Sequence, residues 1–262
     1  GFVMVQLYDQ IGIGYACLRR PDPRLAARIC QALGEADTVV NVGAGAGSYE
    51  PLDRHVIAVE PSLTMIHQRP QRRAPVVRAS ATHLPFKDAA FAAGLAVLTV
   101  HHWPDRARGL RELARVARDR VVVMTWDPAY AGFWLIDDYF PAIAELDRRL
   151  CPTVEEFQGA LGGLTIRPLP IPHDCTDGFL GAYWRRPYAY LNREVRKAIS
   201  AFAMIAGVEE GLIRLAQDLA DGTWLRRHGH LLHQEELDLG YRVVVSGKAC
   251  GGVTPIGKSK GM

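Results

Sequence analysis

No Cys-x-x-Cys pair occurs among the five cysteines of this 262-residue chain, and their number is odd. Cys17, Cys30, Cys151, Cys175 and Cys250 therefore spell neither a zinc knuckle nor a disulfide framework, and they predict reduced thiols in a cytoplasmic protein. No His-Glu-x-x-His stretch is present, and the cysteines form no cluster beside the single His230-Leu231-Leu232-His233, so no metal is expected. Apolar runs stop short of the roughly 18 residues that a membrane span needs, and the first residues do not read as a basic-then-apolar leader. An excess of one charge is also missing. The 31 Lys and Arg against 28 Asp and Glu leave a formal net charge of +3, with the arginines scattered, which does not indicate a nucleic-acid partner. Neither of two phosphate-binding patterns stands at the glycine-rich stretch near residue 43. Gly-x4-Gly-Lys-Ser occurs only as Gly252–Ser259, in the Gly- and Lys-rich final residues and not between a strand and a helix, and the dinucleotide fingerprint Gly-x-Gly-x-x-Gly, counted from Gly43, meets Ser48 where its third glycine belongs. That disfavours a dinucleotide-dependent oxidoreductase.

What is present instead is Thr38-Val39-Val40-Asn41-Val42 running into Gly43-Ala44-Gly45-Ala46-Gly47-Ser48, then Val56-Ile57-Ala58-Val59 ending in Glu60. A buried strand entering a turn almost bare of side chains lets a ligand lie against the backbone. A neighbouring strand that ends in a carboxylate can accept two hydrogen bonds from a ribose diol. Together they describe a nucleoside-binding crevice.

The length fits one α/β domain with an insertion. Pro21-Asp22-Pro23 opens a helix over about 23–33, with Leu25, Ile29 and Leu33 at four-residue spacing. Strands are expected at 38–42, 55–59, 76–78, 95–98 and 121–126, with a brief helix capped by Ser62 and another from Asp105 to about Arg118. The stretch 134–150 reads as helical, 164–167 as strand 6 and 241–245 as the last strand. Strands alternating with helices predict a doubly wound, seven-stranded, mostly parallel sheet. Residues 1–173 and 237–250 would form this core. Residues 174–236 would insert before the last strand as a helical cap over an acceptor pocket, and 251–262 would be a disordered tail.

From Tyr8 to Pro128 the chain resembles the small-molecule type 11 methyltransferases, the group that includes the ubiquinone and menaquinone C-methyltransferases. The resemblance rests on an ordered set of motifs. These are Y-D-x-I-x-x-x-Y from Tyr8 to Tyr15, V-x-x-V-G-A-G-x-G-S-Y around Gly43, V-I-A-V-E-P-S ending at Ser62, A-x-A-x-x-L-P-F from Ala79, and His101-His102-Trp103-Pro104-Asp105 after strand 4. It implies a class I, Rossmann-like methyltransferase that uses S-adenosyl-L-methionine (SAM) and releases S-adenosyl-L-homocysteine (SAH). Carried over by position, Gly43, Ala44, Gly45 and Gly47 would line the methionine and ribose portion, and Glu60 would hold the ribose hydroxyls. Pro61, Ser62 and Met65 would lie near the adenine, with Ser80, Ala81 and Thr82 at its edge. Backbone at Val97 and Leu98 would border the amino-acid end. Tyr8 and Tyr15 resemble the tyrosines that close over the cofactor, with Arg19 or Arg20 meeting its carboxylate. Two positions depart from the family pattern: Asn41 and Ser80 stand where acids are common, which implies weaker cofactor affinity.

For the chemistry, His101 and His102 stand where an acceptor would approach, and either imidazole is a candidate base. His102 is preferred because strand-like alternation would turn the two opposite ways. Asp127, Tyr130, Tyr183 and Trp184 are acceptor-site candidates. The expected activity is methyl transfer to an O, N or C atom of a small molecule. A non-catalytic SAM- or nucleoside-binding regulator stays open, as does an RNA methyltransferase as the lesser enzyme alternative. The sequence leaves the oligomeric state open.

Overall fold

The computed structural model of the chain describes residues 18–247. Tyr8, Tyr15, Cys17, Cys250 and the expected tail at 251–262 lie outside the described residues.

Helix α1, Pro23–Leu33, starts with proline in its first turn, and the Asp22 side chain accepts from the Arg24 N–H at its N-cap. Its Leu25, Ile29 and Leu33 are fully buried. Strand β1, Thr38–Val42, and β2, His55–Val59, follow, and then the short α2, Leu63–His67, whose first turn is capped by Ser62. After β3, Val76–Val77, comes β4, Phe91–Val97. Strand β4 begins earlier than its apolar run suggests, because Ala92, Ala93 and Gly94 are poor strand formers by composition. Gly94 is nonetheless required: a Cβ there would meet Leu113 Cδ1 at 2.7 Å. A 3-10 turn at Val100–His102 leads to α3, Arg106–Val116, which is followed by β5, Ala117–Trp126.

The single helix expected at 134–150 is two pieces. A π-helical turn at Leu135–Tyr139 stops at Phe140 (φ −132°), and α4, Pro141–Leu150, restarts with proline in its first turn. The chain continues through α5, Val154–Leu161, capped by a reciprocal Thr153–Glu156 box, to β6, Leu164–Pro168, and β7, Ile171–Pro172. Beyond β7 run two 3-10 turns, the short helices α6, Arg193–Lys197, and α7, Ser200–Met204, then α8, Val208–Ala220, and α9, Thr223–His228. A further 3-10 turn precedes β8, Glu236–Leu237, and β9, Tyr241–Gly247.

The main sheet has seven strands in the order β3-β2-β1-β4-β5-β9-β6. Only β9 runs antiparallel to its neighbours. Alternation along β1 splits the core in two. Val39 packs with Leu25 and Ile29 of α1, whereas Val40 and Val42 pack on the opposite face with Leu110 and Leu113 of α3 and Phe157 of α5. The sequence was silent on β7 and β8, which pair with each other in a small second sheet. The large aromatics beyond residue 174 are mainly core: Trp134 meets Tyr190 edge-on at 5.9 Å and Trp224 at 5.3 Å. Among the described residues no helix is long and apolar enough to cross a membrane.

Helix α4 carries one group that works against the fold. Asp147 follows the buried Leu146, and its carboxyl has no hydrogen-bond or ion-pair partner among the described residues. Burial pushes it up to about 7. The unfolded chain ionises Asp147 first, so this residue lowers stability as pH rises from about 4 to about 7, and the penalty stays constant above that. Asp147→Asn is expected to stabilise the protein by about 2 kcal/mol at pH 8 and by almost nothing at pH 4, read by urea denaturation of both proteins across that range.

Candidate active site

The candidate site is built at the C-terminal ends of β1, β2 and β4. Leaving β1, the chain bends at three glycines of positive φ, Gly43 (+71°), Gly45 (+52°) and Gly47 (+86°). The N–H groups of Gly43 and Ala44 donate to the Val59 carbonyl at 2.9 and 3.0 Å, and Gly47 N–H donates to the Ala44 carbonyl at 2.9 Å. The end of β2 then locks the bend. Buried Glu60 accepts from Gly45 N–H at 2.8 Å through Oε2 and from Ser62 N–H at 2.9 Å through Oε1. Each carboxylate oxygen has a second lone pair, so the acid that shapes the bend can also receive a diol.

Close packing explains the glycines. A Cβ on Gly43 would fall 2.1 Å from Thr99 Oγ1, and one on Gly45 3.1 Å from Met65 Cε. Leu98, at the end of β4, holds a left-handed backbone (φ +49°). This strained turn brings β4 backbone to the edge of the crevice.

A cavity of about 670 Å³ opens along this bend. Asn41, Gly43, Ala44, Gly45 and Glu60 line it, as do Pro61, Ser62 and Met65. Ser80, Ala81, Val97, Leu98, Arg19 and His102 also line it. Gly47, Thr82 and His101 adjoin this cavity without facing it. Thr82 spends its hydroxyl on Ser80 and His83. Asp127, Tyr130, Tyr183 and Trp184 are not brought to the cavity. The Tyr130 hydroxyl donates to the Asp238 carbonyl at 2.6 Å, and Trp184 is fully buried with Nε1 on the Ile171 carbonyl. Arg20 is exposed, leaving Arg19 as the cation of the pair in the wall.

Sequence reasoning missed Ser48, Tyr49, Arg78, Thr99, Trp103 and Pro104, which also line the cavity. It missed a buried ion pair too. Asn41 Nδ2 donates to Glu50 Oε1 at 3.4 Å, and Glu50 takes Arg69 Nη2 at 2.6 and 2.8 Å while Arg69 Nη1 donates to the Gly45 carbonyl at 3.2 Å. A carboxylate therefore does reach the end of β1, supplied by Glu50 rather than by position 41. No local spacing signals it.

The two histidines sit in the 3-10 turn after β4, so strand alternation does not separate them. Their rings lie 3.8 Å apart. Loss of water and the Arg19 charge push His101 down to about 4. His102 is held well below the usual imidazole value by burial, then by His101 and Arg19. Both are neutral at physiological pH.

The profile of the methyltransferase domain family matches residues 40–124, which spans β1 to β5. A candidate methyltransferase from an antibiotic biosynthesis pathway of Anabaena variabilis is 32% identical, with a TM-score of 0.80 over 87% of this chain and 98% of that one. This chain belongs to the class I SAM-dependent methyltransferases. Two more distant structures share the fold. A SAM-dependent methyltransferase from Thermotoga maritima is 17% identical (TM-score 0.54; 94% of this chain, 99% of that one). The geranyl diphosphate C-methyltransferase from Streptomyces coelicolor, solved with Mg2+, geranyl diphosphate and SAH, is 18% identical (TM-score 0.50; 87% and 79%). The cofactor of this methyltransferase is SAM.

The cavity fits that cofactor on its own geometry. The side-chain-free bend admits a ligand to backbone contact, Glu60 offers acceptors, and Met65, Pro61 and Ala81 offer an apolar slot for a flat ring. Arg19 supplies a cation for a carboxylate.

Proposed function

We propose that this methyltransferase transfers the SAM methyl group to a small-molecule acceptor entering beside His102. Glu60 holds the ribose hydroxyls, Met65 and Pro61 flank the adenine with Ser80 and Ala81 at its edge, and Arg19 meets the methionine carboxylate. Residues 174–236 serve as the acceptor-side cap. One observation carries the reading: Glu60, Met65, Arg19 and His102 line one cavity together with Gly43, Ala44 and Gly45 of the glycine bend.

Bound SAM supplies a methyl already activated on a sulfonium, so the protein's task is to align acceptor and donor and to exclude water. His102, on the cavity wall, is neutral, so it adds no charge to repel the cationic donor and can take a proton from an acidic acceptor. His102→Gln is expected to lower kcat about a hundredfold with little change in the KM for SAM. A neutral imidazole is the working form and its ionisation is held low. The rate should therefore persist below pH 6.5, and no acid limb should appear near the ordinary imidazole value.

The reading is tested by calorimetric titration of SAH, followed by SAH release with panels of small phenols, amines, thiols and carbon acids, and with RNA. SAH binding and turnover with a small molecule are expected. Absence of SAH binding, or turnover confined to RNA, would overturn it.

A further inference from the structure

Three pieces of chain far apart in sequence converge beside the cavity: the segment before α1, the exit of the glycine bend, and the stretch just after β7. They share two carboxylates with no exposure to solvent, Asp22 and Asp177. Asp177 accepts Arg19 Nε at 2.6 Å through Oδ1, and through Oδ2 it accepts Arg19 Nη2 at 3.4 Å and the Tyr49 hydroxyl at 2.9 Å. The Tyr49 oxygen accepts from Asp22 N–H at 3.3 Å, and Asp22 Oδ2 accepts from Thr176 N–H at 3.1 Å. The backbones are joined as well. Arg19 and Asp177 form an antiparallel bridge, and Gly178 N–H donates to the Leu18 carbonyl at 2.9 Å. A Cβ on Gly178 would lie 2.8 Å from that carbonyl oxygen, so the two segments meet at a distance only glycine permits.

A buried ion pair is weak evidence for stability, because desolvation offsets much of the Coulomb gain. Here the pair has a second property: its cation belongs to the cavity wall while its anion comes from a segment 158 residues further along the chain. A guanidinium has five donors in a fixed fork, so gripping it along the Nε edge sets the plane of the whole group. We infer that Asp177 is a positioning residue that orients Arg19 toward the carboxylate of the cofactor's methionine end. The chain after β7 thereby becomes a working part of the cofactor site. The inference rests on the cofactor reading above and adds a residue to it.

Two ligands differing in that carboxylate test it. SAH carries the amino-acid end; 5′-methylthioadenosine has the same adenosine and sulfur without it. In calorimetric titrations of the full chain, Asp177→Asn is expected to weaken SAH about tenfold to thirtyfold and methylthioadenosine less than about twofold. Arg19→Gln should show the same selectivity, and Asp177→Asn added to Arg19→Gln should cost SAH nothing further. Tyr49→Phe keeps the ion pair and removes one hydrogen bond to Asp177. It should cost SAH about threefold, again selectively, and it decides the matter if Asp177→Asn does not fold. Equal losses of the two ligands, or no loss of SAH, would overturn the role of Asp177. A wild-type protein that binds neither ligand would instead overturn the cofactor reading beneath it.

Discussion

Glu60→Ala is expected to lower SAH affinity by at least about a hundredfold. The size follows from two losses. Hydrogen bonds to a charged group contribute about 1.5–3 kcal/mol each, and the proposed ribose contacts would remove two of them. The same substitution strips the partners from Gly45 N–H and Ser62 N–H, so the bend itself loses its lock. Glu60→Gln should fall between wild type and alanine, because one amide oxygen remains to accept while the new NH2 faces donors it cannot satisfy. Calorimetry with SAH, alongside circular dichroism to confirm the fold, reads the effect. Alanine binding within about threefold of wild type would show that Glu60 does not face the ligand.

Gly43→Ala is expected to cost about 3 kcal/mol of stability and to remove detectable SAM turnover. A left-handed backbone at a residue with a Cβ costs about 1–2 kcal/mol, and overpacking typically adds about 1–3 kcal/mol. Here the new methyl would overlap Thr99 Oγ1 and Cγ2 at 2.1 and 2.8 Å, inside a region with no slack. Gly45→Ala meets only the flexible tip of Met65 at 3.1 Å and should be distinctly milder, although the motif writes the two glycines alike. Thr99→Ala should recover part of the Gly43→Ala loss, since its Cβ would still lie 2.9 Å from the new methyl. Urea denaturation and initial rates on the four proteins check the order. Equal penalties at Gly43 and Gly45 would contradict it.

What the sequence disclosed was local. Strands β1 and β2, the glycine bend and the Ser62 cap each announce themselves within a few residues, because alternation, turn chemistry and capping act over that range. The seven-stranded sheet followed from their order. What it hid depends on partners far along the chain. The early part of β4 is built from Ala and Gly because Leu113 presses on it. Strands β7 and β8 are too short to show a period. The break at Phe140 is marked only by Pro141, which a helix tolerates equally at its start. Glu50, Arg69 and Asp177 look like ordinary surface charges until the fold buries them. The histidines follow β4 in sequence but belong to a 3-10 turn, which stacks their rings instead of parting them.

The small β7–β8 pair has a wider consequence. Ile171 pairs with Leu237 and Pro172 with Glu236, and His173 N–H donates to the Glu235 carbonyl at 2.9 Å just past the clasp. The chain thus departs from the sheet and comes back at one spot. Closure entropy grows only as the logarithm of loop length, so lengthening or trimming the excursion costs little once its two feet are stapled together. Such an excursion tolerates changes of length in its exposed parts while the glycine bend keeps its own geometry, provided Trp184, Tyr190 and Trp224 still fill the core around Trp134. Asp174 to Gly178 are fixed as well, because Asp177 bonds Arg19 and Tyr49, which are far from it in sequence; any altered excursion must carry that foot with it.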